Sequence, residues 1–140
     1  VAAAESCTGG LVSTRLTDVP GASAVFTQSV VSYSNESKIR LLHVSPELLA
    51  AHGAVSVPVA RAMAEGVRAL SGADFGVSTT GIAGPSGATP DKPVGLVYIA
   101  VASAAGTDTI ELRLRGDRAQ VRDRATKQLL NMLRHKILAS

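Results

Sequence analysis

A run of small apolar residues leads without interruption into a turn that carries two candidate nucleophiles. Residues 1–4 read Val-Ala-Ala-Ala, residues 5–10 read Glu-Ser-Cys-Thr-Gly-Gly, and residues 11–16 have the apolar spacing of a helix. This pattern predicts a strand, a tight turn and the start of a helix. Backbone N–H groups that are free in such a turn favour an anion or a developing oxyanion. The candidate nucleophiles are Ser6 and Cys7.

The composition is that of one globular domain. The chain has 140 residues, of which 46% are hydrophobic and 18% charged, and its net charge is +3; this length allows one core and is short for two domains. No run approaches the roughly 18 apolar residues of a membrane span, no signal-peptide pattern is present, and a single cysteine cannot form an internal disulfide. We therefore expect a cytoplasmic protein with no membrane partner.

Strand-like and helix-like segments alternate in the order β-α-β-α-α-β-β-β-α. This order predicts an α/β fold, a single three-layer domain over residues 1–140 with a mixed β-sheet and helices packed on its faces. The predicted strands cover residues 1–4, 26–34, 75–80, 96–103 and 107–115. The predicted helices cover 11–16, 36–42 with Asn35 as N-cap, 46–52, 57–70 and a last segment after Asp117. Functional groups gather at the carboxyl ends of strands in such sheets. The three stretches that meet this criterion are 6–10, 33–38 and 79–87.

Ser6 is the first candidate nucleophile. A hydroxyl at a strand-to-helix turn has the placement of a hydrolase nucleophile, and the N–H groups of Thr8, Gly9 or Gly10 would be free to bind an oxyanion. The alternative, which spacing leaves open, is that Ser6 or Thr8 only caps the helix. Cys7 is a rival because a helix N-terminus lowers a thiol pKa. All three histidines lie outside the candidate loops, so a small buried cysteine is the favoured interpretation.

Lys38 is the candidate base. A lysine pKa is ordinarily near 10.4, so Lys38 could accept a serine proton at neutral pH only if burial or a nearby cation lowered that pKa to about 8. Ser–Lys hydrolases use such a pair, and Tyr33 could relay the proton or position the lysine. The alternative is an ordinary strand-end tyrosine and a solvated lysine. Tyr33 and Lys38 are five residues apart and no Gly-x-Gly-x-x-Gly follows a strand, which excludes a short-chain dehydrogenase.

Other classes of site find little support. The three histidines and one cysteine have no metal-ligand spacing, so we expect no metal or cofactor. Glycines of residues 81–87 could cradle a phosphate, but the Walker pattern is absent. Basic residues crowd the last quarter of the chain, yet the aromatic content of 3% leaves little to stack on bases. We expect a solvated helix face there and no nucleic-acid partner.

Three motifs, taken together, resemble the CinA C-terminal domain family. They are Ala-Glu-Ser-Cys-Thr-Gly-Gly at 4–10, Val-Ser-Tyr-Ser-Asn-Glu-Ser-Lys at 31–38 and Thr-Gly-Ile-Ala-Gly-Pro at 80–85, and the match continues through 93–98 and 116–118. The family is known as nicotinamide mononucleotide (NMN) deamidases of the Ser/Lys type, which produce nicotinic acid mononucleotide and ammonia in pyridine nucleotide salvage. The resemblance implies a metal-independent amidohydrolase that acts on a small nucleotide.

The resemblance also implies a role for each matching residue. Ser6 would attack the amide carbon, and Lys38 and Tyr33 would handle the proton. The residues that would shelter the oxyanion are Thr8, Gly9 and Gly10. Those that would line the ribose-phosphate pocket are Thr80, Gly81, Ala83, Gly84 and, as one candidate for the phosphate, Arg118.

The sequence departs from the family pattern at its beginning. Val1 already lies in the predicted first strand, which is an unusual place for a natural chain to start, so we expect further residues before it in the native protein. Residues 1–140 include neither the helix that usually precedes this strand in the family nor the N-terminal domain linked to ADP-ribose pyrophosphatase activity. We expect a homo-oligomer, with a dimer favoured. The alternative function is a non-catalytic nucleotide-binding regulatory module, which would bind NMN without releasing ammonia.

Overall fold

The order of the elements is the one expected from the sequence. A computed structural model describes residues 1–140. The elements are β1 (Ala2–Glu5), α1 (Leu11–Thr17), a short 3-10 helix (Ala22–Ala24), β2 (Gln28–Val31), α2 (Asn35–Leu42), α3 (Pro46–His52), α4 (Val57–Ser71), β3 (Gly76–Gly81), β4 (Leu96–Ser103), β5 (Gly106–Arg113) and α5 (Arg118–Leu138).

The five strands form one mixed sheet in the order β2-β1-β3-β4-β5. Strand β1 is parallel to its neighbours β2 and β3, whereas the β3–β4 and β4–β5 pairs are antiparallel. The predicted α/β class with a mixed sheet is therefore confirmed. None of the helices combines the length and the hydrophobicity that crossing a bilayer requires.

Helices cover both faces of the sheet. Ala3 packs in a cluster with residues of α1 and α5, whereas Ala2 and Ala4 pack in a second cluster with residues of α2, α3 and α4. All three alanines are 0% exposed. A central strand buried on both faces shows no polar alternation, which explains why β1 is uniformly apolar until its last residue.

Strands β1, β2 and β3 run in the same direction and end at the same edge of the sheet. Their last residues are Glu5, Val31 and Gly81. The carboxyl ends of parallel strands form the crevice in which open α/β sheets bind ligands. The topology thus collects the three predicted functional stretches at one place.

Two boundaries in the first half of the chain differ from the prediction. The strand expected over 26–34 is only Gln28–Val31, because its single partner in the sheet, β1, ends opposite Val31 at Glu5. Glu5 itself belongs to β1 rather than to the turn. Ser32 N–H still donates to Glu5 O at 2.9 Å, after which the chain leaves the sheet and enters α2. The N-cap of α2 is Ser34, whose hydroxyl accepts from Ser37 N–H, rather than Asn35.

Helix α2 carries Lys38 and lies against α4 at Gly66. A Cβ atom on Gly66 would overlap the carbonyl oxygen of Leu42, the last residue of α2. The absence of a side chain at this position allows the two helices to approach closely. The distance at which α2 packs against α4 therefore depends on Gly66.

We expect Gly66→Ala to lower the free energy of unfolding by about 2 kcal/mol, because the backbone of α2 must move to relieve the overlap. Helix propensity alone predicts the opposite sign, a gain of about 1 kcal/mol. Urea denaturation of the two proteins distinguishes these outcomes. A more stable variant would contradict the close approach.

Candidate active site

Ser6 follows β1 directly, and its hydroxyl meets the side-chain amine of Lys38 from α2. The distance between Lys38 Nζ and Ser6 Oγ is 3.1 Å. Lys38 is 1% exposed and Ser6 is 9% exposed, so the pair is almost removed from water. The structure brings together the two residues that the sequence paired as nucleophile and base.

Three oxygen atoms surround the Lys38 amine. Besides Ser6 Oγ, these are the carbonyl oxygens of Ser32, at 2.8 Å, and Tyr33, at 3.3 Å. A neutral amine can donate to the two carbonyls and direct its lone pair at the Ser6 hydroxyl, whereas an ammonium donates to all three oxygens. The surroundings therefore suit both protonation states that a general base passes through.

Burial lowers the pKa of Lys38 below its ordinary value of 10.5, because an ammonium ion loses hydration when it leaves water. Cys7 would raise the Lys38 pKa, but only as a thiolate. Burial raises the pKa of Cys7 to about 12, so its thiol is neutral near pH 7 and this opposing effect is absent. The amine therefore releases its proton more readily than an ordinary lysine.

The same observations argue against Cys7 as the nucleophile. Its side chain belongs to the hydrophobic cluster between the sheet and α5. A thiol with a pKa near 12 supplies almost no thiolate at neutral pH, and the thiolate is the reactive form. Cys7 fits a small buried cysteine, as the sequence favoured.

Glu5 is a buried carboxylate that ties the turn to the start of α1. It is 0% exposed, yet both of its oxygens are fully used. Oε1 accepts from Thr8 Oγ1 at 2.6 Å, Gly10 N–H at 3.2 Å and Val12 N–H at 2.9 Å. Oε2 accepts from Ser13 N–H at 3.0 Å and Ser13 Oγ at 2.6 Å. This role was missed in the sequence, where Glu5 reads as one more turn residue.

We expect Glu5→Gln to lower the free energy of unfolding by about 3 kcal/mol, because an amide group replaces one accepting oxygen and faces donors that it cannot satisfy. The matched control is Glu36→Gln. Glu36 is exposed and forms only an i,i+4 ion pair with Arg40, which is worth about 0.5 kcal/mol or less. Urea denaturation gives both values, and equal losses would contradict the anchoring role of Glu5.

Two of the three oxyanion donors expected from the sequence, Gly9 and Gly10, are engaged within the turn, whereas the third, Thr8, keeps a free N–H. The Gly9 N–H donates to Ser6 O at 3.0 Å, and the Gly10 N–H donates to the buried carboxylate just described. Both glycines have left-handed φ values, 57° and 106°, which close the turn on itself. The N–H groups of Cys7 and Thr8 have no acceptor in the protein. Of these two residues, Cys7 lines the cavity next to Ser6.

Tyr33 contacts the site through its backbone rather than its side chain. Its carbonyl oxygen accepts from Lys38, whereas its phenol oxygen accepts from Arg118 Nη2 at 3.1 Å. The phenol does not contact Ser6 or Lys38, so its expected part in handling the proton has no direct support. Tyr33 and Arg118 instead form one wall of the cavity.

A cavity of about 250 Å³ opens beside Ser6 and Lys38. All five residues predicted to bind the substrate line it, namely Thr80, Gly81, Ala83, Gly84 and Arg118. Two of them also brace the wall: Thr80 Oγ1 donates to Ala54 O at 2.8 Å, and Arg118 Nη1 donates to Gly84 O at 2.9 Å. Asn35 and Ser86 line the cavity too. Neither was predicted from the sequence to bind the substrate, although Asn35 lies in the 31–38 motif.

Known proteins share this fold over most of the chain. A competence/damage inducible protein from Agrobacterium tumefaciens is 42% identical, with a TM-score of 0.92 over 94% of this chain and 81% of that one. A CinA superfamily protein from Klebsiella pneumoniae 700603 is 33% identical, with a TM-score of 0.95 over 99% of this chain and 87% of that one.

Sequence relatives lead to the same family. A CinA-like protein from Anaeromyxobacter dehalogenans is 60% identical over 134 residues, which is 96% of this chain and 33% of that protein. The chain thus spans about a third of the length of this relative. The pattern that defines the CinA C-terminal domain matches residues 1–137. On this match and these identities, the chain belongs to the CinA C-terminal domain family.

Proposed function

We propose that this domain is an amidohydrolase that converts NMN and water to nicotinic acid mononucleotide and ammonia. The observation that carries the proposal is the buried contact between Lys38 Nζ and Ser6 Oγ at 3.1 Å. A lysine in this environment has a lowered pKa and can act as a general base toward a serine. The resemblance of the motifs to the family supports the choice of NMN as the substrate.

In the first half of the reaction, Ser6 attacks the carboxamide carbon of NMN. The Ser6 hydroxyl proton passes to the neutral amine of Lys38 as the bond between Oγ and carbon forms. The carbonyl oxygen becomes an oxyanion, which the free N–H groups of Cys7 and Thr8 would stabilise. When the tetrahedral species collapses, the C–N bond breaks, the Lys38 ammonium returns the proton to the leaving nitrogen, and ammonia departs from an acyl ester on Ser6.

In the second half, water takes the place of ammonia. Lys38 accepts a proton from the water as its oxygen attacks the acyl carbon. The bond to Ser6 Oγ then breaks, and Lys38 returns the proton to the serine. The acid product leaves and the starting protonation states are restored, so no further reactant is needed.

The cavity has the polar groups that a small nucleotide requires. The Arg118 guanidinium uses one N–H for Gly84 O and another for the Tyr33 phenol. Arginine has five N–H donors in a planar fork, so others remain for a phosphate oxygen. Asn35 and Ser86 add hydrogen-bonding side chains to the lining, on which ribose hydroxyls could bind.

The proposal is tested by incubating the protein with NMN and following ammonia. We expect ammonia and nicotinic acid mononucleotide to form in equal amounts. Calorimetric binding of NMN with no ammonia release would instead favour the non-catalytic regulatory module. If NMN does not bind and no ammonia is released, the choice of NMN as the substrate is contradicted.

A further inference from the structure

The side chain of Arg122, from α5, donates hydrogen bonds to the backbone of the turn that carries the candidate nucleophile. Its Nε donates to Cys7 O at 3.1 Å, and its Nη2 donates to Thr8 O at 2.9 Å. The side chain is half-buried and takes part in none of the ion pairs of the structure. Two consecutive backbone carbonyls of the turn are thus the partners of this guanidinium.

These contacts fix the direction of the Thr8 N–H. In a trans peptide the C=O and the next N–H point in opposite directions. Because Arg122 holds Cys7 O on the α5 side, the N–H of Thr8 points away from α5. Helices α5 and α2 pack in clusters on opposite faces of the sheet, so this N–H is turned away from the face that α5 covers.

The second contact fixes the neighbouring peptide. Arg122 holds Thr8 O, which orients the Gly9 N–H in the opposite direction, and that N–H donates to Ser6 O at 3.0 Å. Ser6 O is thereby held as well, and the Cys7 N–H of the same peptide must point away from it. One side chain thus orders both N–H groups that have no acceptor in the protein.

We infer that Arg122 is a positioning residue, which orients the Cys7 and Thr8 N–H groups as an oxyanion site and strengthens them as donors. Its positive charge at the carbonyl oxygens polarises the peptide groups, so that each N–H stabilises negative charge better than it would alone. The inference rests on the proposed function, because it assigns Arg122 to the same reaction. Arg122 does not itself touch the substrate.

The test compares Arg122→Met, Arg122→Lys and Arg134→Met. Arg134 lies on the same helix, is exposed and forms no ion pair. For ammonia release from NMN, we expect Arg122→Met to lower kcat by about 10- to 100-fold and to change KM by less than about threefold. Arg122→Lys should recover part of kcat because it restores the charge, and Arg134→Met should match the unmodified protein.

A second readout uses no NMN. A small alkyl fluorophosphonate phosphonylates an activated serine: the bond between Ser6 Oγ and phosphorus forms, fluoride leaves, and Lys38 takes the hydroxyl proton. The phosphoryl oxygen needs the same oxyanion donors, so we expect Arg122→Met to slow labelling of Ser6 by the same factor. Urea denaturation first establishes that each variant is fully folded under the assay conditions. A loss of stability is then not mistaken for a loss of rate.

The outcomes separate the two proposals. Labelling of Ser6 without turnover of NMN would overturn the substrate and leave the role of Arg122 to be decided by the labelling rates. If the labelling rate and the kcat of Arg122→Met both stay within about twofold of those of the unmodified protein, the inference about Arg122 is overturned and the proposed function is not affected. If the unmodified protein neither turns over NMN nor is labelled at Ser6, the proposed function fails and the inference fails with it.

Discussion

Replacing Ser6 with alanine is expected to lower kcat for ammonia release from NMN by about 10⁴-fold or more, because the covalent route is then closed. Ser6 lies at a cavity wall and is 9% exposed, so removing one oxygen atom leaves the lining otherwise intact. NMN binding, measured by calorimetry, should change by less than about tenfold. The loss should therefore appear in kcat rather than in KM.

The matched control is Ser103→Ala. Ser103 ends β4 beside the hairpin, and its hydroxyl donates to Gly106 O at 3.2 Å and accepts from Ala105 N–H at 3.3 Å, both outside the lining of the cavity. This variant should keep the full rate. An undiminished rate in Ser6→Ala would remove Ser6 as the nucleophile, whatever the control shows.

Replacing Lys38 with methionine is expected to lower the rate by about 10² to 10⁴-fold, which is the usual contribution of a general base. Methionine keeps much of the buried length of the side chain but cannot accept a proton. Lys38→Arg should be equally inactive, because a guanidinium stays protonated at every accessible pH. The control is Lys127→Met, since Lys127 is exposed and pairs only with Asp123.

The pH profile of the unmodified protein tests the same base. Only the neutral amine accepts the Ser6 proton, so kcat/KM should be low at acid pH and should rise with pH until Lys38 is deprotonated. Because burial lowers the pKa of Lys38 from 10.5, the midpoint of this rise should lie below 10.5. A rate that does not depend on pH, or a rise centred above 10.5, would contradict the assignment.

The rate losses caused by Ser6→Ala and Lys38→Met should not be additive. Ser6 and Lys38 act on one proton, so the double variant should be no slower than Ser6→Ala alone. A further loss in the double variant would mean that Lys38 acts on a step that Ser6 does not share.

Much of the fold could be predicted because the local signals agree with the global arrangement. Glycines and prolines separate segments whose apolar periods differ, and the order of those segments fits one mixed sheet with helices packed on its faces. The length of β2 could not be read in this way. It depends on where its neighbour β1 ends, and pairing between distant segments leaves no mark in the local sequence.

The candidate site was predictable in part. Ser6 and Lys38 are 32 residues apart, and they could be paired because parallel strands end at one edge and because the motifs resemble a family. The roles of Glu5 and Arg122 could not be predicted, since each depends on hydrogen bonds that only the folded turn creates. Which N–H groups of the turn remain free could not be predicted either. In the folded turn those of Gly9 and Gly10 are engaged, and those of Cys7 and Thr8 are not.

The assignment of Ser6 as the nucleophile is tested most directly by stopping the reaction with acid during turnover of NMN and mapping the protein by mass spectrometry. We expect an acyl group, derived from NMN by loss of ammonia, on the hydroxyl of Ser6. The adduct should be absent from Ser6→Ala and from Lys38→Met. Ammonia release with the acyl group on Cys7, or turnover that continues in Ser6→Ala with no adduct on any residue, would show that Ser6 is not the nucleophile.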